Sequence, residues 1–171
     1  MLFAALILAV GGCQTAPDAA TGTSGSAADA AVVGPDPSLT AREVVQIQLE
    51  AFADGGTKDE GIEIAFRFAS PTNRLQTGPL ERFAGMLRSP AYRIMLDYDT
   101  VHYFPLLVEG DLAVQRVILS RNGEVEAFDF VLRRQRGGPY EDCWMTESVL
   151  RLQVQQPRRE QLTPIPPPIS V

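Results

Sequence analysis

Cationic side chains are scarce in this chain of 171 residues. Lys58 is the single lysine among 15 basic residues, which 21 acidic ones outnumber, leaving a formal net charge of −6. Binding nucleic acid requires clustered Lys and Arg that displace counterions from phosphates. No run of arginines falls on one predicted face, so no nucleic acid is expected as a partner. Histidine occurs once, as His102, and cysteine twice, as Cys13 and Cys143. That is too few for a zinc site supplied by this chain alone, and no metal or other cofactor is expected. Long hydrophobic runs are also missing. The apolar stretch over residues 1–10 covers, at about 1.5 Å per residue, roughly half of a 30 Å hydrocarbon core, which excludes a transmembrane helix there. What remains is ordinary: 45% hydrophobic and 21% charged residues. Such a composition excludes a wholly disordered chain, a collagen and a multi-span membrane protein. The length fits one domain with extensions.

The short apolar stretch reads as the core of a signal peptide. Val10, Gly11, Gly12 and Cys13 follow it, and this resembles a bacterial lipobox. In such signals the cysteine is lipidated and the peptide is cut before it, and small residues let the site lie extended in a narrow peptidase groove. The usual basic opening is missing, so either the true start lies upstream or the α-amino group supplies the charge. The alternative is an incidental apolar N-terminus. The expected layout is a signal peptide over 1–12, then a lipidated Cys13 and flexible linker over 13–38. The lipid would make the membrane a partner, and Gln14 in place of Asp favours the periplasmic face of the outer membrane of a bacterial envelope. The linker is small and polar and cannot bury enough surface to offset ordering entropy. About 25 such residues span roughly 25–30 Å, enough to hold a domain clear of a membrane. With Cys13 lipidated, Cys143 has no partner and reads as a small buried hydrophobe. Residues 154–171 form a Pro-rich tail, read as a disordered end or a polyproline II segment for an aromatic groove.

Between these extensions, residues 39–153 carry the folding signals. Thr40-Ala41-Arg42-Glu43 has the capping-box pattern, and Val45, Leu49 and Phe52 follow at helical spacing, supported by Ala41, Val44 and Gln48. Gly55-Gly56 ends this helix. Asp59 is expected to cap a second helix through Ile62, Phe66 and Ala69, stopped by Ser70-Pro71. Thr77 and Pro79 open a third, with Leu80, Phe83 and Leu87 on one stripe. From about residue 97 the period changes to two. Strands are expected over 97–104, 112–120, 125–133 and 142–152, with Asn122-Gly123 as a hairpin turn. Pro105 demotes 105–108 to a loop or edge piece. This order predicts an α+β fold, with N-terminal helices packed on a curved antiparallel sheet.

The segments EAFADG, FASPTNR, PLERFAGMLRSPAYR and VQRVIL, with the Trp144-containing last strand, resemble the domain of unknown function 4864 family over roughly residues 40–152. The element order is also similar to the nuclear transport factor 2-like cone fold. The resemblance implies a compact cone with a pocket between helices and sheet. The family hands over no catalytic residues, and the wider fold hosts enzymes, scaffolds and dimerisation modules alike.

Four residues are candidates for lining such a pocket. In an extended strand Tyr98, Thr100 and His102 share a face, and a Tyr–His pair could exchange protons. The plainer reading is polar decoration of a solvent-facing strand. Asp129 lies between Phe128 and Phe130. In one register it points out; in the other it enters an apolar cavity with a raised pKa, as a general base would. The larger Phe128, Phe130 and Leu132 are expected to take the core. Arg116, among apolar strand residues, needs a carboxylate such as Glu126 or Asp129; the sharper reading is an anion site. Arg67, Thr72, Asn73 and Arg74 around Ser70-Pro71 are expected in a solvated turn; the sharper reading is a small basic loop that binds an anionic envelope ligand.

No convergent catalytic set emerges. The leading expectation is an envelope lipoprotein that binds a periplasmic protein or a small ligand without catalysis. The alternative is an isomerase- or hydrolase-like enzyme using Tyr98, His102 and Asp129. A homodimer through the open sheet face is a third expectation.

Overall fold

The computed structural model describes residues 33–54 and 58–153. The expected signal peptide, Cys13, the linker as far as residue 32 and the Pro-rich tail lie outside the described residues. Four helices come first: α1 (Ala41–Asp54), α2 (Lys58–Arg67), α3 (Pro71–Thr77) and α4 (Leu80–Leu87). After a 3₁₀ turn over Arg93–Leu96 come β1 (Thr100–Tyr103), β2 (Leu107–Glu109), β3 (Leu112–Arg121), β4 (Glu124–Arg134) and β5 (Trp144–Leu152). None of the described helices is long and apolar enough to cross a membrane.

The expected α+β order is observed, as helices followed by an open antiparallel sheet. Its strand order is β1-β3-β4-β5, and β2 also pairs with β3. The capping box forms as the spacing requires. The Glu43 carboxylate accepts from the Thr40 amide at 2.8 Å, and Thr40 Oγ1 accepts from the Glu43 amide at 3.3 Å. Val44, Val45, Leu49 and Phe52 turn into the core, beside Ile62, Ala65 and Phe68. From the sheet, Ala113, Val117, Leu119, Phe128, Phe130 and Leu132 face the helices, so the large β4 side chains do take the core. Asn122 and Gly123 both have positive φ, 49° and 85°, the geometry that a tight hairpin with right-twisted strands demands.

Several expectations need correction. Asp59 does not cap α2; the helix begins at Lys58, and Asp59 pairs with Arg88 instead. Ser70-Pro71 ends one helix and also starts another. Ser70 Oγ accepts from the Asn73 amide at 3.0 Å, and Pro71 occupies the first turn, where a missing N–H costs nothing. The supposed solvated turn is therefore helical, with Arg67 at the end of α2 and Thr72, Asn73 and Arg74 in α3, and Asn73 is buried. The first strand is shorter than expected, because the backbone at Asp97 (φ −164°, ψ 45°) breaks the alternation. The demoted piece after Pro105 rejoins the sheet as β2, with Leu107 opposite Val114. Within residues 33–38, the Val33 carbonyl accepts from Arg67 Nη1 at 3.3 Å, and the Asp36 carboxylate accepts two hydrogen bonds from Ser38.

Candidate functional site

A cavity of about 130 Å³ lies between α1, α3, α4 and the sheet. Its position follows from a fault in the sheet. The β4–β5 register shifts between Val131 and Leu132: Val131 faces Ser148, but Leu132 faces Thr146, leaving Glu147 as an extra residue. A bulge bends the strand that carries it. Ahead of the bulge, β5 is held by the end of α2: Ser70 N donates to the Thr146 carbonyl at 2.9 Å, and Thr146 N donates to the Phe68 carbonyl at 2.8 Å. Past the bulge the edge separates from this segment, and α3 and α4 roof the gap.

The walls are mostly apolar. Phe52, Phe83, Leu87, Met95, Phe130 and Val149 supply them. A polar strip crosses one side. Gln48, 4% exposed, accepts from Thr146 Oγ1 at 2.8 Å and donates to the Ala65 carbonyl at 3.1 Å. Asn73 Nδ2 donates to the Thr146 carbonyl at 2.9 Å, and Thr77 Oγ1 donates to the Asn73 carbonyl at 2.9 Å. Gln76 stands at the rim, and the Tyr92 hydroxyl reaches the Val149 carbonyl at 3.5 Å. Among the described residues the one charged group in the lining is Glu147, whose carboxylate lies 3.7 Å from Arg133 Nε. Such a space can hold an uncharged apolar group and orient it by hydrogen bonds.

None of the four residues singled out in the sequence lines this cavity. Tyr98 precedes β1 and turns under α1, where its hydroxyl donates to the Leu49 carbonyl at 3.1 Å. His102 lies opposite Ile118 on the sheet face away from the helices and is exposed, with its ring edge-on to Phe104 at 5.1 Å. Arg116 and Asp129 stand opposite one another on that same outer face. Their pairing is bidentate, Nε to Oδ1 at 2.7 Å and Nη2 to Oδ2 at 2.8 Å, and it raises the arginine pKa. Tyr98, His102 and Asp129 therefore do not converge in one cavity. Arg116 and Asp129 instead floor a shallow hollow with Phe104, Pro105, Leu107 and Val114. Among the described residues no group of three His, Cys, Asp or Glu could hold a metal ion. Cys143 is buried, and burial pushes its thiol pKa up.

The residues that do form the polar strip were missed. Gln48 carried a signal, as a polar side chain inside an otherwise apolar stripe, which implies a buried hydrogen-bond partner. Asn73 carried none once Ser70-Pro71 was read only as a stop.

No curated protein and no solved structure matches the chain. A family model does, over residues 36–159, and its description is a domain of unknown function, DUF4864. The matched span takes in every helix and strand described above, and the chain belongs to that family.

Proposed function

We propose that this protein is an envelope lipoprotein whose domain binds a small, uncharged ligand without catalysis. The carrying observation is the cavity: apolar walls crossed by one amide and hydroxyl strip. An acid–base mechanism needs titratable groups within reach of the reacting atoms; among the described residues the lining offers Glu147, already beside Arg133, and Tyr92, whose hydroxyl is turned to the Val149 carbonyl. The order of helices and sheet, with a cavity between them, supports assignment to the nuclear transport factor 2-like cones. The Gly-Gly-Cys13 signal and the small, polar stretch after it support a lipid-anchored position on the periplasmic face of the outer membrane.

Native mass spectrometry of the full chain carrying Cys13→Ser, purified from its own host, tests the binding reading. A retained small-molecule mass is expected, and a bare protein mass at every activation energy would overturn it. Membrane fractionation tests the anchor: the wild type partitions with membranes and Cys13→Ser does not.

A second reading has its own observation. Leu107, Leu112 and Leu150 are 67%, 40% and 52% exposed on the outer face of the sheet, around the Arg116–Asp129 pair. Both charges at the centre of one patch suit a two-fold contact, in which each arginine meets the other copy's aspartate. Light scattering at high micromolar concentration decides it: a dimer supports it, and a monomer removes it.

A further inference from the structure

We infer that the cavity selects a single-ring group bearing an uncharged hydroxyl, as in a phenol, and rejects both the methyl ether and the carboxylate of the same ring. This rests on the ligand-binding reading and deepens it. Size is the first argument. An apolar cavity of about 150 Å³ takes one benzene ring, and this one measures about 130 Å³. Phe52, Phe83 and Phe130 border it, so a flat ring would meet aromatic faces and edges.

Hydrogen-bond bookkeeping supplies the second argument. The Thr77 hydroxyl has spent its proton on the Asn73 carbonyl, and the Thr146 hydroxyl has spent its own on Gln48 Oε1. Each hydroxyl oxygen keeps lone pairs and has no proton left to give. The strip therefore presents these two acceptor oxygens beside the second N–H of the Gln48 and Asn73 amides, and a ligand hydroxyl, which both donates and accepts, matches it. A methoxy oxygen has nothing to donate.

Charge supplies the third. Among the described residues no Lys, Arg or His lines the cavity, and the charged residue there, Glu147, is anionic. A carboxylate entering it would lose its water and gain no counter-ion.

The probes are phenol, anisole and benzoate, titrated against the full chain carrying Cys13→Ser and followed by amide chemical shifts. Phenol is expected to bind saturably, anisole about tenfold more weakly for one lost hydrogen bond, and benzoate not at all. Thr77→Val keeps the side chain's shape and removes one of the two hydroxyl acceptors, so the phenol-to-anisole ratio should fall while anisole binding holds. Met86→Trp extends a half-buried lining side chain into the space and should abolish binding of all probes. Equal binding of phenol and anisole, preferential binding of benzoate, or phenol binding that survives Met86→Trp would each overturn the inference and leave the ligand-binding reading standing. If no ring binds while native mass spectrometry retains a different small molecule, the inference alone fails. If no ring binds and the native mass is bare, both fail.

Discussion

Tyr103 shows how a single side chain ties this fold to pH. Burial is the main cause that pushes its phenol up to about 12, with Tyr98 and Glu50 adding to the rise and Arg42 opposing it. Arg42 lies 5.5 Å from the ring centroid, where the π face attracts its charge. The folded value exceeds the ordinary 10.0, so the protonated phenol contributes stability in full below about pH 10. That contribution is lost as pH rises through 12. Urea unfolding followed by Trp144 fluorescence should show stability falling across this window, and Tyr103→Phe should flatten the fall. The carboxylates carry the opposite sign. Hydrogen bonds from Thr40 hold Glu43 below its usual range, and those from Arg136 do the same for Asp111. Their stabilisation is present above the ordinary carboxylate values and is lost as pH falls through the lowered ones. Asp111→Asn should therefore blunt the acid limb of the stability curve. Asp129 belongs at this scale too. Its bidentate pair with Arg116 lies on the outer face with the guanidinium half open to solvent, where water screens an ion pair. Asp129→Asn should lower the urea midpoint only slightly and leave probe binding in the cavity unchanged, which separates the outer face from the site.

At the scale of elements, two close approaches decide how the helices sit. A Cβ added to Gly61 would lie 1.9 Å from the Ala51 carbonyl oxygen, so α1 and α2 touch backbone to backbone there. Backbone cannot yield as a flexible side chain does. Gly61→Ala should force the helices apart and cost about 3 kcal/mol, read as a lowered urea midpoint with unchanged slope. Ser70 is the other control point. It is fully buried, caps α3 through its hydroxyl and anchors β5 through its amide. Ser70→Ala removes the cap alone and should cost about 1 kcal/mol, with amide exchange rising first in residues 71–77. Legibility at this scale followed local chemistry. The Thr40–Glu43 box and the Asn122-Gly123 turn were readable because each is complete within four residues. Helix α3 was not, since a Ser-Pro pair reads equally as a stop and as a start. What favours the start is the contact of Asn73 with Thr146, 73 residues away. The bulge at Glu147 was invisible for the same reason, because a register shift belongs to two strands at once.

The whole molecule presents two unlike faces of one sheet. The inner face, with Phe128, Phe130 and Leu132, closes the core and frames the cavity. The outer face carries exposed leucines around an ion pair. If copies associate through that face, Leu150→Asp should return a dimer to monomer in light scattering while phenol still shifts cavity resonances. The edge beside β3 shows how the inner face stays intact. Pro105 interrupts the neighbouring strand, splitting it into β1 and β2, and the buried Gln115 side chain bridges the break by donating to the Phe104 carbonyl at 2.7 Å. Gln115→Leu would leave that carbonyl without this donor and should loosen β2, seen as faster exchange at residues 107–109.

By itself the sequence determined the α+β order, the capping box, the hairpin turn and which β4 side chains enter the core. Each of these follows from periodicity or from chemistry within a few residues. Tertiary structure alone decided where function is sought. Tyr98, His102, Asp129 and Arg116 carry the chemistry that attracts attention in a sequence, yet the break before β1 and the cross-strand pairing send them to other surroundings. Gln48, Asn73, Thr77 and Thr146 look ordinary one by one. They become a site because α1, α3 and the bulged β5 bring them to one cavity, and that convergence depends on distances between residues as many as 98 positions apart.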